Sequence, residues 1–235
     1  MSDDYSNSKA VGEVFNQPLA PTLAFGTRAQ VWGAQDTTSR EPHEKHVSVE
    51  IRAKIAQRQK SRCHFCGAHL SKLEIHNLND NHLDGSPANL VAVDSICHSW
   101  KHLGEIAEGE GFIAYLPGLT AQDANHLQRT IMVALEVGSE QEKAEAKKLL
   151  NWLASHRSYA ENAWGTYSPK AFADALVRLG DVDLDTKSMV FKDLALILNP
   201  ESQSASIKSW AGKTFATLPV SSWQSKYHSI LNAPA

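Results

Sequence analysis

The sequence predicts a mainly α-helical protein with a small β component. Most of the chain after Thr120 repeats apolar residues at helical spacing, and capping signals divide these repeats into successive helices. Runs with strand character are few and short, such as Leu23-Ala24-Phe25 and Phe112–Leu116. All three cysteines of the 235-residue chain fall between residues 63 and 97, which makes that stretch the first place to look for a functional site.

Composition limits the classes of protein that fit. The apolar content of 42% is enough for a sizeable core in one large domain or two small ones, and the net charge of −3 disfavours general affinity for nucleic acid. Three cysteines leave no disulfide framework, which indicates a reducing compartment. The polar, acidic N-terminus has no signal-peptide pattern, and no apolar run approaches the roughly 20 residues of a membrane span. We therefore expect a cytoplasmic protein without membrane insertion.

The N-terminal elements come before the cysteines. Residues 1–20 are polar and aperiodic, which predicts disorder. Ala29–Trp32 predicts another short strand, and Val47–Gln59 predicts a helix. Six basic residues lie between Lys45 and Arg62, and they form either a phosphate-binding patch or a solvated helix face. The absence of interleaved aromatic residues favours the solvated face. The candidate buried positions of this helix are Val49, Ile51 and Ile55.

A C-x2-C turn, followed by a glycine that relaxes the backbone, predicts half of a metal site. Cys63 and Cys66 form this turn and Gly67 follows it. A second pair with the same spacing is Asp94 and Cys97, with a carboxylate in the first position. Three thiolates and one carboxylate can bind zinc in a tetrahedral arrangement. We therefore predict a zinc site made by Cys63, Cys66, Asp94 and Cys97.

The fourth ligand has competitors. His102 lies about one helical turn beyond Cys97, and imidazole is a commoner ligand than carboxylate at structural zinc sites. His98 and His64 are further candidates, whereas the C-x2-C spacing favours Asp94. The alternative to any metal site is a set of three buried free thiols.

The order of segments around these residues resembles the ββα-metal, treble-clef module of HNH endonucleases. Leu73–Leu78 and Asn89–Val93 flank a polar loop between the two ligand pairs, and Cys97-His98 stands at a predicted helix start. The resemblance implies a hairpin followed by a short helix over Ile96–Glu105. It places Asn89 and His98 at positions that the family also uses.

One departure from that family concerns catalysis. Where those nucleases carry Asp-His, this chain has His76-Asn77, so the histidine that activates water is missing. A shift of one residue along a strand turns a side chain to the opposite face, so His76 does not replace it. Asp80 and His82 in the following loop are the remaining candidates for the base.

A closer resemblance is to the IcmJ/DotN family of type IVB (Dot/Icm) secretion systems. It is carried by Asn77–Asn81, by the spacing on to Asn89, and by Phe112–Asp123. That family has an HNH-like zinc fold, is not regarded as a nuclease, and associates with the C-terminal region of the type IV coupling ATPase. The resemblance implies a non-catalytic zinc-stabilised adaptor, held at the cytoplasmic face of the inner membrane by the coupling ATPase and its associated adaptor proteins. Asp94 departs from the four-cysteine pattern of the family.

Capping signals organise the C-terminal region into helices. Thr120–Asp123 and Ser139–Glu142 are capping boxes, and Gly138 closes the first helix. The second helix has an apolar stripe made of Leu149, Trp152, Leu153, His156 and Ala160. We expect His156 to be a hydrogen-bonded core histidine because no other ligand type is near it in sequence.

Four further helical segments follow. Ser168-Pro169 begins one that ends at Gly180, and Thr186–Leu198 predicts the next, ended by Asn199-Pro200. The spacing of Ile207, Trp210, Thr214 and Leu218 predicts a further helix, and that of Trp223, Tyr227 and Leu231 predicts the last one. We expect the Trp and Tyr residues of these helices in the core, and the alternative is that they form a partner-binding groove.

We divide the chain into a disordered N-terminus (1–20), an HNH-like zinc-binding module with its preceding helix (21–118), and a helical region packed on that module (119–235). Two alternatives to the adaptor stay open. One is a divergent HNH endonuclease, and the other is a zinc-dependent DNA-binding module that uses the basic helix.

Overall fold

The computed structural model of the protein describes residues 23–26, 47–70, 72–79, 84–178, 189 and 191–233. Helices dominate these residues, and the strands form two separate two-stranded antiparallel sheets. The predicted class, mainly α with a small β component, is confirmed. Four predicted features lie outside the described residues: the N-terminus 1–20, the strand Ala29–Trp32, and the loop residues Asp80 and His82.

A hairpin followed by a short helix forms the first unit of the fold. Its elements are α1 (Val49–Arg58), β1 (Glu74–Asn77), β2 (Leu90–Val93) and α2 (Ser95–Lys101), followed by a 3-10 turn (Leu103–Glu105). Strands β1 and β2 pair antiparallel, with Glu74 opposite Val93 and Asn77 opposite Leu90. Every residue of both strands is buried, so the hairpin is covered on both faces.

The second sheet joins distant parts of the chain. Strand β3 (Gly111–Tyr115) pairs antiparallel with β4 (Leu194–Leu198). Strand β3 agrees with the prediction, but the predicted helix over Thr186–Leu198 is wrong across β4. Five consecutive apolar residues suit a buried strand as well as a helix, and pairing with β3 decides between them. Asp193, with a φ of +65°, turns the backbone out of a helical path immediately before β4.

Four helices fill the middle of the chain: α3 (Ala121–Val137), α4 (Glu140–Ser155), α5 (Arg157–Trp164) and α6 (Pro169–Arg178). Both predicted capping boxes form, at Thr120 and at Ser139. Helix α4 ends at His156, so the predicted stripe is split between two helices. Leu153 is fully buried, but Leu149 and Trp152 are almost half exposed, against the prediction.

The C-terminal elements are short. After a 3-10 turn (Pro200–Gln203) come α7 (Ser204–Ser209), a wider π-turn (Trp210–Thr214), a 3-10 turn (Val220–Ser222) and α8 (Trp223–Leu231). Trp210 is buried as predicted and Ile207 is buried as well, whereas Tyr227 is exposed, against the prediction, and Leu231 is exposed beside it.

One hydrophobic core runs through both of the predicted regions, 21–118 and 119–235. The boundary after residue 118 stays a prediction. Among the fully buried side chains, Trp100 and Leu103 come from the first region, and Met132 and Leu196 come from the second.

The extended segment 23–26 covers helix α2 without joining a sheet. The Phe25 ring stacks on Trp100 at a centroid distance of 4.6 Å, and the backbone N–H of Gly26 donates to the Trp100 carbonyl at 3.0 Å. A Cβ atom at position 26 would lie 2.3 Å from the Lys101 carbonyl oxygen. Only glycine permits this close approach of the two backbones.

We therefore expect Gly26→Ala to destabilise the protein by about 1–3 kcal/mol, the usual cost of an inserted methyl that a packed backbone has to accommodate. Gly85→Ala is the matched control, because a Cβ there meets nothing within 4 Å. Urea unfolding followed by far-UV circular dichroism measures both variants. Equal unfolding midpoints for the two variants would contradict the packing of segment 23–26 on α2.

Candidate metal centre

The four residues of the predicted metal site lie together in one buried cluster, called here the cysteine cluster. It consists of Cys63, Cys66, Asp94 and Cys97, and their ligand atoms all lie within 4.8 Å of one another. None of the four residues is more than 8% exposed. Soft thiolates with one carboxylate are a ligand set that suits zinc, and the atoms are close enough to converge on one ion.

Local backbone structure presents the two halves of this cluster. The Gly67 N–H donates to the Cys63 carbonyl at 2.9 Å, and the φ of +69° at Gly67 closes the turn that carries both thiols. The His64 N–H donates to the Ala92 carbonyl at 2.9 Å, which ties this turn to β2. These hydrogen bonds fix the first pair of thiols against the hairpin.

Asp94 caps helix α2 as well as facing the thiols. Its Oδ1 accepts a hydrogen bond from the Cys97 N–H at 2.9 Å, as an N-cap carboxylate does. Its Oδ2 lies 3.1 Å from the Cys66 Sγ. Aspartate therefore suits the first position of the second ligand pair. One of its carboxylate oxygens caps the helix N-terminus, and the other enters the cluster.

Helix α3 surrounds the cluster with hydrogen-bond donors. The Arg129 guanidinium forms a buried ion pair with Asp94 Oδ2, and its Nη2 lies 3.6 Å from the Cys66 Sγ. Asn125 Nδ2 donates to the Cys97 Sγ at 3.2 Å. N–H donors around sulfur stabilise thiolate charge, and such partners also orient metal ligands. Sequence reasoning missed both residues, which are polar side chains buried on the inner face of α3.

The pKa values of three side chains in the cluster are shifted, those of Cys63, Asp94 and Cys97. Hydrogen bonds from Cys66 and Cys97 hold the pKa of Cys63 well below its usual value, because they favour the thiolate. Cys97 is the donor in its hydrogen bonds to Cys63 and Cys66, and these hydrogen bonds, together with burial, raise the pKa of Cys97. Burial raises the pKa of Asp94 to about 6, although Arg129 opposes this. A bound divalent cation favours the deprotonated form of each ligand, so metal binding releases protons.

The pKa of Arg129 is also shifted. Burial lowers it, but the combined attraction of Asp94, Cys66 and Cys97 outweighs burial and leaves the pKa raised. Arg129 is therefore a fixed positive charge beside the cluster. It offsets part of the negative charge that three thiolates and a carboxylate bring.

A second buried cluster contains the histidines that competed for the fourth ligand position. His76, His98 and His102 have ring nitrogens within 4.8 Å of one another, and each residue is at most 2% exposed. The His98 and His102 rings are 4.6 Å apart between centroids, edge to face. We call these three residues the histidine cluster. Two of the competitors thus face each other and His76, and this geometry supports Asp94 as the fourth member of the cysteine cluster.

Carboxylates lie beside two of these imidazoles. Glu74 Oε2 lies 2.9 Å from the His98 Nδ1, and Glu105 Oε1 lies 3.3 Å from the His102 Nδ1. A carboxylate beside the second ring nitrogen is the arrangement that orients histidine ligands in many metal sites. The sequence holds a signal for this cluster: His98 and His102 are four residues apart on a helix, and Glu74 and His76 share one strand face.

The asparagines of the hairpin have a structural role. The Nδ2 groups of Asn77 and Asn89 both donate to the Asp84 carbonyl, at 2.8 and 2.9 Å. Asn89 Oδ1 also accepts the Asn79 N–H at 3.0 Å. Asn77 therefore ties down the loop between the strands, whereas His76 belongs to the histidine cluster.

Two of the basic residues near α1, Arg58 and Arg62, bind backbone oxygens. Arg58 donates to the carbonyls of Pro87 and Leu90, and Arg62 donates to the Gly67 carbonyl at 3.0 Å. These contacts fix the helix to the hairpin and the thiol turn. Ile55 is buried as predicted, but Val49 is 78% exposed, against the prediction.

The two comparisons with known proteins assign no function to this site, so its interpretation rests on the geometry. A scan of the chain against protein-family models finds no match, and a search of curated proteins finds none either. Among the described residues, no helix has the length and apolar character to cross a membrane.

The buried ion pair between Arg129 and Asp94 leads to a stability prediction. Arg129→Met should lower the free energy of unfolding by about 3–5 kcal/mol, because the substitution leaves Asp94 buried without its partner. Chemical denaturation measures this. Asp94→Asn combined with Arg129→Met should be destabilised by less than the sum of the two single variants.

The matched control is Lys148→Met, which removes an exposed ion pair with Glu145 on α4. Its unfolding midpoint should stay close to that of the wild type. If Arg129→Met unfolds at the same denaturant concentration as this control, the ion pair does not hold the cluster to α3.

Proposed function

We propose that this chain is a non-catalytic, zinc-stabilised adaptor of a type IVB secretion or conjugation apparatus that docks onto the type IV coupling ATPase complex. The observation that carries the proposal is the closure of the cysteine cluster. All four of its members are buried, and α3 side chains contact Asp94, Cys66 and Cys97. A zinc site closed in this way suits a structural role, since catalytic zinc keeps an open position.

The size of the elements supports a structural zinc ion. Helix α2 has seven residues, and β1 and β2 have four each. Isolated elements of this length are unstable in water. A structural zinc ion can contribute on the order of 10 kcal/mol to folding. The ion would hold the thiol turn, the hairpin and α2 in one HNH-like ββα module.

The adaptor part of the proposal comes from the resemblance of Cys63–Asp123 to the IcmJ/DotN family. The presence of Asn77 in place of a water-activating histidine supports a non-catalytic role. Asp94 departs from the four-cysteine pattern of that family, and Arg129 gives a physical reason why the departure is tolerated. The ion pair fixes the carboxylate in the cluster and offsets its charge.

The test is to measure zinc, folding and partner binding together. Purified protein should contain about one tightly held zinc ion per chain by elemental analysis. Cys66→Ser should lose zinc and folding, and with them the capture of a coupling ATPase from the native host. The capture is an affinity pull-down with nuclease treatment and a moderate-salt wash, read by mass spectrometry.

His64→Ser is the matched control, because His64 lies in the same turn and belongs to neither cluster. It should retain zinc and the captured ATPase. If the Cys66→Ser protein stays folded and still captures the ATPase, the metal has no structural role. A wild-type protein that captures no coupling ATPase would remove the adaptor function.

The histidine cluster favours a second candidate, a divergent metal-dependent nuclease of the HNH type. Three imidazoles, two of them beside Glu74 and Glu105, would form the ligand set of a second metal ion. Such an ion could act as a Lewis acid on a phosphate group. The burial of all three histidines and the presence of Asn77 at the position of the base weigh against this candidate.

Plasmid nicking separates the two candidates. A nuclease would nick supercoiled DNA only with Mg²⁺ or Mn²⁺, and His98→Ala would abolish the nicking while leaving the zinc of the cysteine cluster in place. We expect no nicking above the level of His98→Ala. If the wild-type protein nicks DNA and His98→Ala does not, the nuclease becomes the first candidate in place of the adaptor.

A further inference from the structure

The histidine cluster connects strand β1 with helix α2. His76 lies on β1, His98 lies within α2, and His102 is the C-cap residue of that helix. His98 and His102 are four residues apart, so both face the same side of α2. The ring nitrogens of the three residues lie within 4.8 Å of one another. Three imidazoles from two short elements therefore converge at one buried point.

The separation of these nitrogens suits a transition-metal ion. Zinc binds imidazole nitrogen at about 2.0–2.1 Å, so three nitrogens on one tetrahedral ion lie about 3.3 Å apart. Starting from separations of at most 4.8 Å, each ring has to move by about 1 Å or less to reach that geometry. Imidazole suits zinc, copper, iron and nickel, whereas Mg²⁺ and Ca²⁺ prefer oxygen. The ligand set therefore favours a transition metal.

Two carboxylates set the protonation of two of the rings. Glu74 Oε2 faces the His98 Nδ1 at 2.9 Å, and Glu105 Oε1 faces the His102 Nδ1 at 3.3 Å. A charged carboxylate only accepts hydrogen bonds, so the Nδ1 atom that faces it carries the ring proton. The lone pair that a metal ion binds is then on Nε2 of each ring. Carboxylates play this part beside histidine ligands in many metal sites.

Charge balance also favours a bound cation. Glu74 is a buried carboxylate, and a buried charge is tolerated only with a compensating charge. Protonation of both His98 and His102 would supply positive charge, but their ring centroids are only 4.6 Å apart and two imidazolium rings repel each other at that distance. One divalent cation bound to neutral imidazoles offsets the carboxylates without that repulsion.

We propose that the histidine cluster binds a structural transition-metal ion of the zinc class, with His76, His98 and His102 as its ligands. A catalytic ion keeps a position open to substrate, whereas each of these histidines is at most 2% exposed. The burial that weighs against a nuclease therefore suits an ion that holds α2 against β1. The cysteine cluster binds its ion more tightly, because thiolates and a carboxylate bring more negative charge. Binding at the histidines requires a folded α2 and does not depend on the adaptor function.

The experiment is a titration of the full chain with Co²⁺, which is a spectroscopic substitute for zinc. The purified protein is first treated with a mild chelator, so that the zinc of the cysteine cluster is the only metal left. We expect uptake of one further ion per chain, with visible absorption bands but without the near-ultraviolet band of thiolate-bound cobalt. The same ion should raise the urea concentration at which the protein unfolds, because it binds only the folded chain.

Two variants and a matched control locate the ion. His102→Ala should lose the Co²⁺ ion and keep the zinc of the cysteine cluster, and the retained zinc shows that the module is folded. Glu105→Gln is the milder variant, since this side chain is 19% exposed. It removes the charge beside His102 and should weaken Co²⁺ binding about 10- to 100-fold. His64→Ser, outside both clusters, should bind Co²⁺ as the wild type does.

Three results would overturn the proposal. The first is a wild-type protein that takes up no Co²⁺ at millimolar concentration, because the histidines would then form a metal-free polar core. The second is a folded His102→Ala protein that still binds the ion with the affinity of the wild type, because the ion would then lie elsewhere. The third is metal-dependent DNA nicking that is lost in His98→Ala, because the ion would then be catalytic.

The second ion and the adaptor function fail separately. If the chain binds Co²⁺ at the histidines but captures no coupling ATPase, the second ion stands and the adaptor function is wrong. If the chain captures the ATPase and holds metal only in the cysteine cluster, the adaptor function stands and the second ion is wrong.

Discussion

The buried ion pair between Arg129 and Asp94 connects the two parts of this fold. Asp94 caps helix α2 and belongs to the cysteine cluster, whereas Arg129 comes from the middle of α3. The same guanidinium lies 5.3 Å from the Trp210 ring centroid, which brings the C-terminal π-turn into contact with it. A charge buried at this depth is tolerated only with a partner, so helix, cluster and turn depend on one another.

The neighbours of Arg129 on α3 extend this connection to the second sheet. Asn125 accepts the Trp100 indole N–H at 3.0 Å and donates to the Cys97 sulfur. Gln128 donates to Asn125 Oδ1 and to the Leu196 carbonyl, and it accepts the Leu198 N–H. One turn of helix therefore satisfies the cluster, α2 and the backbone of β4 through a connected polar network. Networks of this kind fix a unique arrangement of the elements around them.

The two candidate ligand groups differ in how they are built. The cysteine cluster is made of a tight turn and a helix N-terminus, with donors from α3 around it. The histidine cluster lies between β1 and α2, with carboxylates beside two of its rings. Both groups share α2, since Cys97 and His98 are adjacent in sequence and turn to different sides of that helix. A metal ion in the cysteine cluster would therefore also position His98 and His102.

The sequence by itself determined the three thiols of the cysteine cluster, the capping boxes at Thr120 and Ser139, and strand β3, because these depend on short-range spacing and local hydrogen bonds, whereas the place of Asp94 beside the thiols was settled by the geometry. Tertiary structure decided what the amino-acid sequence left open. The apolar run Leu194–Leu198 is a strand because β3 offers it a partner, and His98 and His102 join His76 because packing of α2 on β1 turns them there. The exposure of Tyr227 and Leu231 was equally undetermined, since helical spacing marks an apolar face without showing whether this chain or another molecule covers it.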